Sequence, residues 1–410
     1  MKKGKQAVDA PLQGVVVLEF SHAVLGPTAG LVLADLGAEV IKIERTPDGD
    51  PTRYLKGFGL GYFPFFNRNK KSLVVDLKSS EGREIVEKLL EGADVLIENY
   101  APGTMDRLGF GYPALAPRFP RLVYCSLKGF LEGPYEKRTA LDEVVQMMSG
   151  LAYMTGPPGQ PLRAGASVVD IMTGLCGAMG ALLALMERKE TGRGQLAKTA
   201  LFETAAFVMA HHMAYQVVAG TPPPPMPARI SPWAIYHQFR TLEGQIIFIG
   251  VTSDKQWPRF CRAFDRIDLL EDKRLQTNND RVTQHDWLLP DLEAMVATMS
   301  LEEAVRRCEQ AEIPFSPVAR PEDLFDDPQL NLGGSLLDTT FPGGQKTKMP
   351  KLPLSLGNHL WSLRRDPPRV GQHTLEVLTH LGYGVDEIRS LHERGIIVSP
   401  EDTVKGTEDG

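Results

Sequence analysis

The chain has 410 residues, 42% of them hydrophobic and 23% charged, with a formal net charge of −6. That length fits two or three domains rather than one core, and the acidic balance with an aromatic share of only 8% argues against a nucleic-acid partner. The four cysteines, Cys125, Cys176, Cys261 and Cys308, form no CxxC pair; this argues against a zinc site or any other metal centre and against a disulfide framework, and fits reduced thiols in a cytoplasmic protein.

The opening MKKGKQAVDAPLQG is basic but no apolar run follows it, so it does not read as a signal peptide. Residues 14–20 (GVVVLEF), 38–44, 72–77, 94–99 and 121–127 then read as short buried strands. Between them, residues 28–37 and 79–93 read as amphipathic helices. Alternation of this kind predicts βαβ units and a mostly parallel sheet, whose ligands bind beyond the C-terminal ends of the strands. Residues 171–186 are the longest apolar-rich stretch; with three glycines they read as a buried helix and not as a membrane span.

The turn-rich stretch AGTPPPPMPARISPW (219–233) interrupts the pattern, because four consecutive prolines cannot continue a helix. A domain boundary is expected there, giving an N-terminal part over 1–220, a linker and smaller domain over 221–330, and a return to the first domain over 331–410. In the smaller domain residues 245–252 read as a strand and 253–265 as a helix. Residues 300–313 read as a helix opened by a Ser300/Glu303 capping box. The stretch GVDEIRSLHERGII (384–397) predicts a last helix and a docking strand, and the polar tail 401–410 predicts frayed chain.

Common nucleotide and hydrolase signatures are missing. GFGLGYF (57–63) has Tyr62 where a dinucleotide fingerprint needs its last glycine, and there is neither a P-loop nor a G-x-S-x-G elbow. His211 and His212 are adjacent, so on a helix they diverge by ~100° and make poor co-ligands. Residues 42–78 hold eight basic side chains (Lys42, Arg45, Arg53, Lys56, Arg68, Lys70, Lys71, Lys78) against four acidic ones, a local excess of +4. Arg45 ends one presumed strand and Lys78 follows another, so both fall at the ligand-binding edge, where phosphates are the expected partners. A solvated surface gives the same pattern.

Asp170 poses a sharper question. In RAGASVVDIMTGLCGAMGALLALMER (163–188) it is the one carboxylate before Glu187, set among apolar and small residues. As a helix cap it would need no further explanation, since Asp is favoured there and the helix dipole favours its charge. The glycines behind it cost ~1 kcal/mol each against alanine, a cost that close packing of another backbone or of a ligand would offset, with close packing alone accounting for most of them.

Taken in order, LEFSHAVLGPTAGLVLADLGAEVIKIER (18–45), NRNKKSLVVDLKSSEGREI (67–85), ADVLIENYAPGTMDRLGFGY (93–112), GASVVDIMTG (165–174) and ERKETGRGQ (187–195) resemble the family III coenzyme A transferases, the group with formyl-CoA:oxalate and carnitine CoA-transferases. The resemblance spans roughly residues 12–390. It implies a Rossmann-like α/β large domain built from both chain ends, a smaller α+β middle domain, and a homodimer of interlocked rings. It implies no permanent cofactor, with coenzyme A and its thioesters as substrates. It makes Asp170 the nucleophile, attacking an acyl-CoA to give an aspartyl mixed anhydride and then an aspartyl-CoA thioester. It assigns Ala23, Val24, Leu25, Arg45, Val75, Lys78, Asn99, Tyr100 and Arg107 to coenzyme A. His22, in the same loop, contacts substrate or is structural. Arg138, Arg229 and His237 are candidate partners for a substrate carboxylate.

The sequence also departs from that pattern. Residues 228–239 hold no glycine run of the kind that closes over the nucleophile in some members, so another element must shield the intermediate. Thr139 and Leu141 stand where formyl-CoA transferases carry CoA-contacting Lys and Tyr residues. Leu141 also stands where racemases of the superfamily carry a proton-shuttling His, which disfavours racemisation. Intermolecular transfer to a small carboxylic or dicarboxylic acid, and intramolecular transfer within one dicarboxylyl-CoA, both remain compatible with the residues.

Overall fold

A computed structural model describes residues 10–229 and 231–400. The chain divides into two compact units, one over 1–227 and 329–410 and the other over 228–328. The tail expected to fray lies outside the described residues.

The larger unit is built on six parallel strands: β1 Val16–Phe20, β2 Glu39–Glu44, β3 Lys70–Val75, β4 Val95–Glu98, β5 Val123–Lys128 and β6 Leu196–Ala200. Their spatial order is β3-β2-β1-β4-β5-β6, and the short strand Ile397–Val398 adds antiparallel to β3 at the edge. The five strands read from the sequence are present within a few residues. The sixth follows the turn at 192–195, and its burial is too partial to read as an apolar run. Alternate residues serve opposite faces. Val17, Val40, Val95 and Val123 pack beneath the helices α1 (Leu25–Asp35) and α4 (Val168–Thr191). Their neighbours Leu18, Ile41, Leu96 and Tyr124 join Ile85, Val86 and Leu89 of α2 (Ser80–Glu91) on the other face. With both faces buried, the strands carry no polar alternation.

The helix α4 is long and apolar enough to cross a membrane by composition alone. It is nevertheless a helix of this core, with Val169, Ala178, Ala181, Ala184 and Leu185 packed on the sheet. Its glycines answer to packing. A Cβ on Gly174 would lie 2.5 Å from Thr28 Cβ and 2.7 Å from the Leu25 carbonyl of α1, and one on Gly177 would lie 2.7 Å from Leu127 Cδ2. Two more helices matter for the site, α3 (Asp142–Met148) before α4 and α5 (Leu201–Ala219) after it.

The smaller unit packs helices on an antiparallel three-stranded sheet of Ile235–Arg240, Ile246–Val251 and Phe315–Pro317. Trp257, Phe260, Leu288 and Cys308 are in its core. The helix Leu301–Ala311 starts at Ser300, whose hydroxyl accepts from Glu303 N–H at 3.2 Å. The reciprocal Glu303 bond of a full capping box is not made: that carboxylate is taken by Arg306 and Arg307.

The α1–α4 crossing makes a prediction. Gly174→Ala is expected to lower the stability of the full chain by ~1–3 kcal/mol, because the new methyl meets a backbone carbonyl that cannot rotate away. Gly180→Ala, whose Cβ would meet Ala197 Cβ at 3.4 Å, is expected to lose much less. Denaturant midpoints measure both. A Gly174→Ala protein as stable as the parent would contradict the close approach.

Candidate active site

In this strand order the connections leave β1 and β4 in opposite directions, so their C-terminal ends open a crevice. The β1–α1 turn, the residues after β4 and the start of α4 meet there around a cavity of about 450 Å³, with Asp170 in its wall beside Val24, Tyr62, Arg163 and Ser167. A neighbouring cavity of about 330 Å³ shares His22 and Tyr100 with it and is lined by Arg45, Pro51 and Thr104.

Asp170 is not the cap of its helix. It is the third residue of α4, and Ser167 at the cap position makes no capping bond. The cap comes from Asp142 on α3: its Oδ2 accepts from Val169 N–H at 2.9 Å and from Asp170 N–H at 3.0 Å. Asp142 Oδ1 is held in turn by Gln146 Nε2 at 2.5 Å and Arg163 Nη2 at 3.3 Å. The bland explanation of Asp170 therefore fails, because another carboxylate does that job. Among the described residues, no donor reaches the Asp170 carboxylate. Burial and the nearby Asp142 charge push its pKa up to about 7, with Arg163 opposing them. The helix dipole that favours an anion here is outweighed by these two.

The residues expected to bind coenzyme A fall into three groups. Ala23, Val24 and Leu25 line the larger cavity with His22, Asn99 and Tyr100. Arg45 is exposed in the smaller cavity, and Arg107, also exposed, bonds Thr104 Oγ1 in its wall at 2.9 Å. Lys78 is exposed and lines neither cavity. Val75 is fully buried in the core and pairs with Ile397, and its side chain lines neither cavity. Asn99 has a task the sequence did not suggest. Its Oδ1 accepts from His22 N–H and its Nδ2 donates to the His22 carbonyl, both at 3.0 Å. The exposed His22 ring stacks on Tyr100 with 5.7 Å between centroids.

The basic excess over 42–78 needs correction. Five of its eight cations are tied up inside the unit: Lys42 by Glu19 and Asp50, Arg53 by Glu44, Arg68 by Asp35, Lys70 by Glu19, and Lys71 by Glu39 and Glu376. Arg45, Lys56 and Lys78 remain exposed.

Of the candidate carboxylate partners, Arg138 lines the Asp170 cavity and stacks over Tyr135 at 5.0 Å. Arg229 and His237 belong to the smaller unit, where His237 Nε2 lies 2.9 Å from Glu293 Oε1. Leu141 lines the Asp170 cavity and offers it no proton. The His211 and His212 rings lie 3.8 Å apart, tilted by 51°, and no metal-holding cluster occurs among the described residues.

Several site residues escaped the sequence. Arg163 opens the stretch read only for Asp170, and Asp142 follows Leu141 in a stretch read only for what it lacked. Tyr62, which bonds Ser167 at 3.1 Å, and Phe58 come from the failed dinucleotide stretch. The glycines there shape a short 3-10 turn (Gly57–Gly61) whose Phe58 is exposed at the cavity.

A doubly wound sheet with an unpaired carboxylate at its switch point defines an α/β protein whose ligand site lies beyond its strand ends. The sequence model described as CoA-transferase family III matches residues 12–374. The chain belongs to this family. It is 32% identical to the succinate–glutarate CoA-transferase of Agrobacterium fabrum, over 90% of this chain and 96% of that protein. It is 31% identical to human succinyl-CoA:glutarate CoA-transferase, over 94% of this chain and 90% of that one. Among solved structures it resembles a CAIB/BAIF family protein from Brucella suis, with a TM-score of 0.82 and 31% identity over 91% of this chain and all of that one. The chain is accordingly an enzyme of the CoA-transferase class, and CoA thioesters are the substrates of that class.

The raised Asp170 pKa is a statement about stability. A carboxyl whose folded pKa exceeds its unfolded one favours folding while protonated. That contribution is present below about pH 4 and lost as pH rises toward about 7. Asp170→Asn is therefore expected to be more stable than the parent at pH 8, by roughly 2–4 kcal/mol, with the gap closing toward pH 4. Denaturation at the two pH values measures it. A constant difference would show that burial does not disfavour the Asp170 anion.

Proposed function

We propose that this protein moves coenzyme A between short dicarboxylic acids, with Asp170 as the covalent carrier. The observation that carries the reading is a part-buried carboxylate that neither caps its helix nor meets a donor among the described residues, in a cavity whose cations include Arg138 and Arg163. The succinate and glutarate in the names of two relatives support a dicarboxylate acceptor.

In the proposed cycle Asp170 attacks the thioester carbonyl of the donor. The C–S bond breaks, giving CoA thiolate and an aspartyl mixed anhydride. The thiolate then attacks the aspartyl carbonyl, releasing the donor acid as its carboxylate and leaving an aspartyl-CoA thioester. The acceptor carboxylate repeats both steps in reverse and restores Asp170. Arg138 and Arg163 offer cationic partners for the second carboxylate of donor or acceptor. Val24, Leu25, Leu127 and Leu201 give the cavity apolar walls that keep water from the activated acyl groups. Intramolecular transfer would use the same carboxylate. Leu141 in the cavity wall weighs against racemisation.

Asp170→Asn is expected to abolish transfer from succinyl-CoA to glutarate while CoA still binds, because an amide cannot form the anhydride or the thioester. Borohydride or hydroxylamine trapping of the parent enzyme should mark the peptide that contains Asp170. The anion is the attacking form, so kcat/KM should rise with pH through about 7 and level off above it. An active Asn variant, or an adduct on another residue, would refute the covalent route. Crossing succinyl- and mesaconyl-CoA with mono- and dicarboxylates decides the acceptor class.

We infer further that two copies associate, interlocked as the family resemblance implies. Met172, Leu175, Met179, Leu183 and Met186 form an exposed stripe along α4, and Phe207, Val217 and Val218 are more than three-quarters exposed on α5. Apolar area of that extent on a soluble chain asks for a partner, and a homodimer supplies one. Light scattering should give twice the 45.2 kDa chain mass at micromolar concentration. The mass of a single chain would sink the inference.

A further inference from the structure

The β1–α1 turn, residues 21–24, is the rim shared by the two cavities, and side chains from three distant segments hold its backbone. Lys42 Nζ donates to the Ser21 carbonyl at 2.7 Å. Asn99 brackets both polar groups of His22. Thr52 Oγ1 accepts from Ala23 N–H at 2.9 Å. The last bond is the telling one, because Ala23 has φ = +61°. A residue with a Cβ keeps that left-handed conformation only where its surroundings enforce it.

The Thr52 hydroxyl is itself directed. Its proton goes to Asp50 Oδ1 at 2.7 Å, which turns a lone pair toward Ala23. Asp50 Oδ1 also accepts from Thr52 N–H at 2.8 Å, and Asp50 Oδ2 lies 2.9 Å from Lys42 Nζ. Lys42 continues to Glu19 at 3.3 Å, and the other oxygen of Glu19 meets Lys70 at 2.7 Å. Glu19, Lys42, Asp50, Thr52 and Lys70 are all buried. Burial alone would neutralise Asp50, yet Lys42 and the two Thr52 bonds bring its pKa down to about 2. Against its burial, Asp50 and Glu19 raise the pKa of Lys42, so Lys42 and Asp50 both stay charged across the physiological range. Stability is a poor explanation for this chain of bonds, since buried ion pairs return little more than their desolvation costs. What it does provide is a fixed orientation at its far end.

We propose that Lys42, Asp50 and Thr52 form a positioning chain that holds Ala23 in its left-handed conformation, and thereby sets the cleft rim against which an acyl-CoA lies as its thioester reaches Asp170. The inference rests on the CoA-transferase reading of this cleft. Without the Thr52 hydroxyl, Ala23 relaxes toward negative φ and the rim loses its shape. A glycine at 23 would tolerate the left-handed conformation without help.

The test uses the full-length enzyme and Thr52→Val, which keeps the side-chain shape and removes the hydroxyl. Three quantities are read: amide exchange in the peptide covering 20–25, the Kd for free CoA by calorimetry, and kcat/KM with succinyl-CoA and glutarate. Thr52→Val should speed exchange in that peptide and lower kcat/KM, each by about tenfold or more, and weaken CoA binding, with far-ultraviolet circular dichroism unchanged. Thr52→Ser should stay close to the parent in all three. Adding Ala23→Gly to Thr52→Val should recover a substantial part of kcat/KM, which a generally weakened fold would not do. Should Thr52→Val not fold, Thr52→Ala removes the same hydroxyl without an added methyl and is read in the same way. The proposal is overturned if the hydroxyl-less variant only melts earlier, with exchange and kcat/KM like the parent. It is equally overturned if exchange rises while kcat/KM holds. A parent enzyme that neither binds CoA nor turns over would refute the CoA-transferase reading instead, and the exchange comparison would still judge the loop.

Discussion

A parallel sheet covered by helices on both faces leaves only its strand ends for chemistry, and this constraint organises the larger unit. Val17 and Leu18, Val40 and Ile41, and Val95 and Leu96 point to opposite cores. What the covered faces leave open is the C-terminal edge of the sheet. There the connection reverses between β1 and β4, and one crevice opens. The β1–α1 turn is one lip of it and the residues after β4 are the other. The start of α4 is carried in by its close crossing with α1 at Gly174. Each element reaches the cavity because the sheet gives it nowhere else to end.

The charges at those strand ends follow from the same geometry. Glu19, Lys42 and Ser72 lie in register on neighbouring strands, with Glu44 two residues beyond Lys42 on the same face of β2, the face that α1 covers. Side chains buried there must find partners in one another, and they do so with matched signs. Gly30 of α1 leaves room for it: a Cβ at that position would overlap the Glu19 carboxylate. Local charge counting misleads here because it adds up signs without knowing which groups are inside. A segment with an excess of +4 in sequence becomes, once folded, mostly a set of internal pairs completed by Asp35, Glu39, Glu44, Glu19, Asp50 and the distant Glu376. The cations left for a phosphate are few.

Much of this was legible before any coordinates. The strands announce themselves as apolar runs, α2 by its period and the edge strand by a short apolar pair after a helix. Asp170 stands out because it is a lone carboxylate in an apolar stretch. Its freedom from capping duty was not legible. That depends on Asp142, which caps α4 from 27 and 28 residues away in sequence, and side-chain bonds to distant backbone leave no periodic trace. The same holds for Asn99 on His22, 77 residues apart, and for Thr52 on Ala23. Val75 illustrates the converse. Family position suggested a ligand contact, and the side chain itself is sealed in the core. Short-range pattern gives elements and candidate chemistry, while the shape of the site is set by long-range bonds between single residues.

The environment of Asp170 bears on which covalent species the proposed route would favour. A mixed anhydride can be opened by thiolate at either carbonyl, and the weaker base leaves more readily. Burial and Asp142 make the Asp170 carboxylate a stronger base than an ordinary carboxylate in water. Attack at the aspartyl carbonyl, expelling the substrate acid, is therefore the easier opening in both halves of the cycle. On the proposed route the aspartyl-CoA thioester would then be the resting point, approached from donor and acceptor alike. A thioester that waits for an acceptor is the species most exposed to hydrolysis. Dryness around Asp170 then serves two ends, raising the basicity that leads to the thioester and protecting it once formed. Arg163 sets the limit, since without an opposing cation the same burial would hold Asp170 protonated and unable to attack.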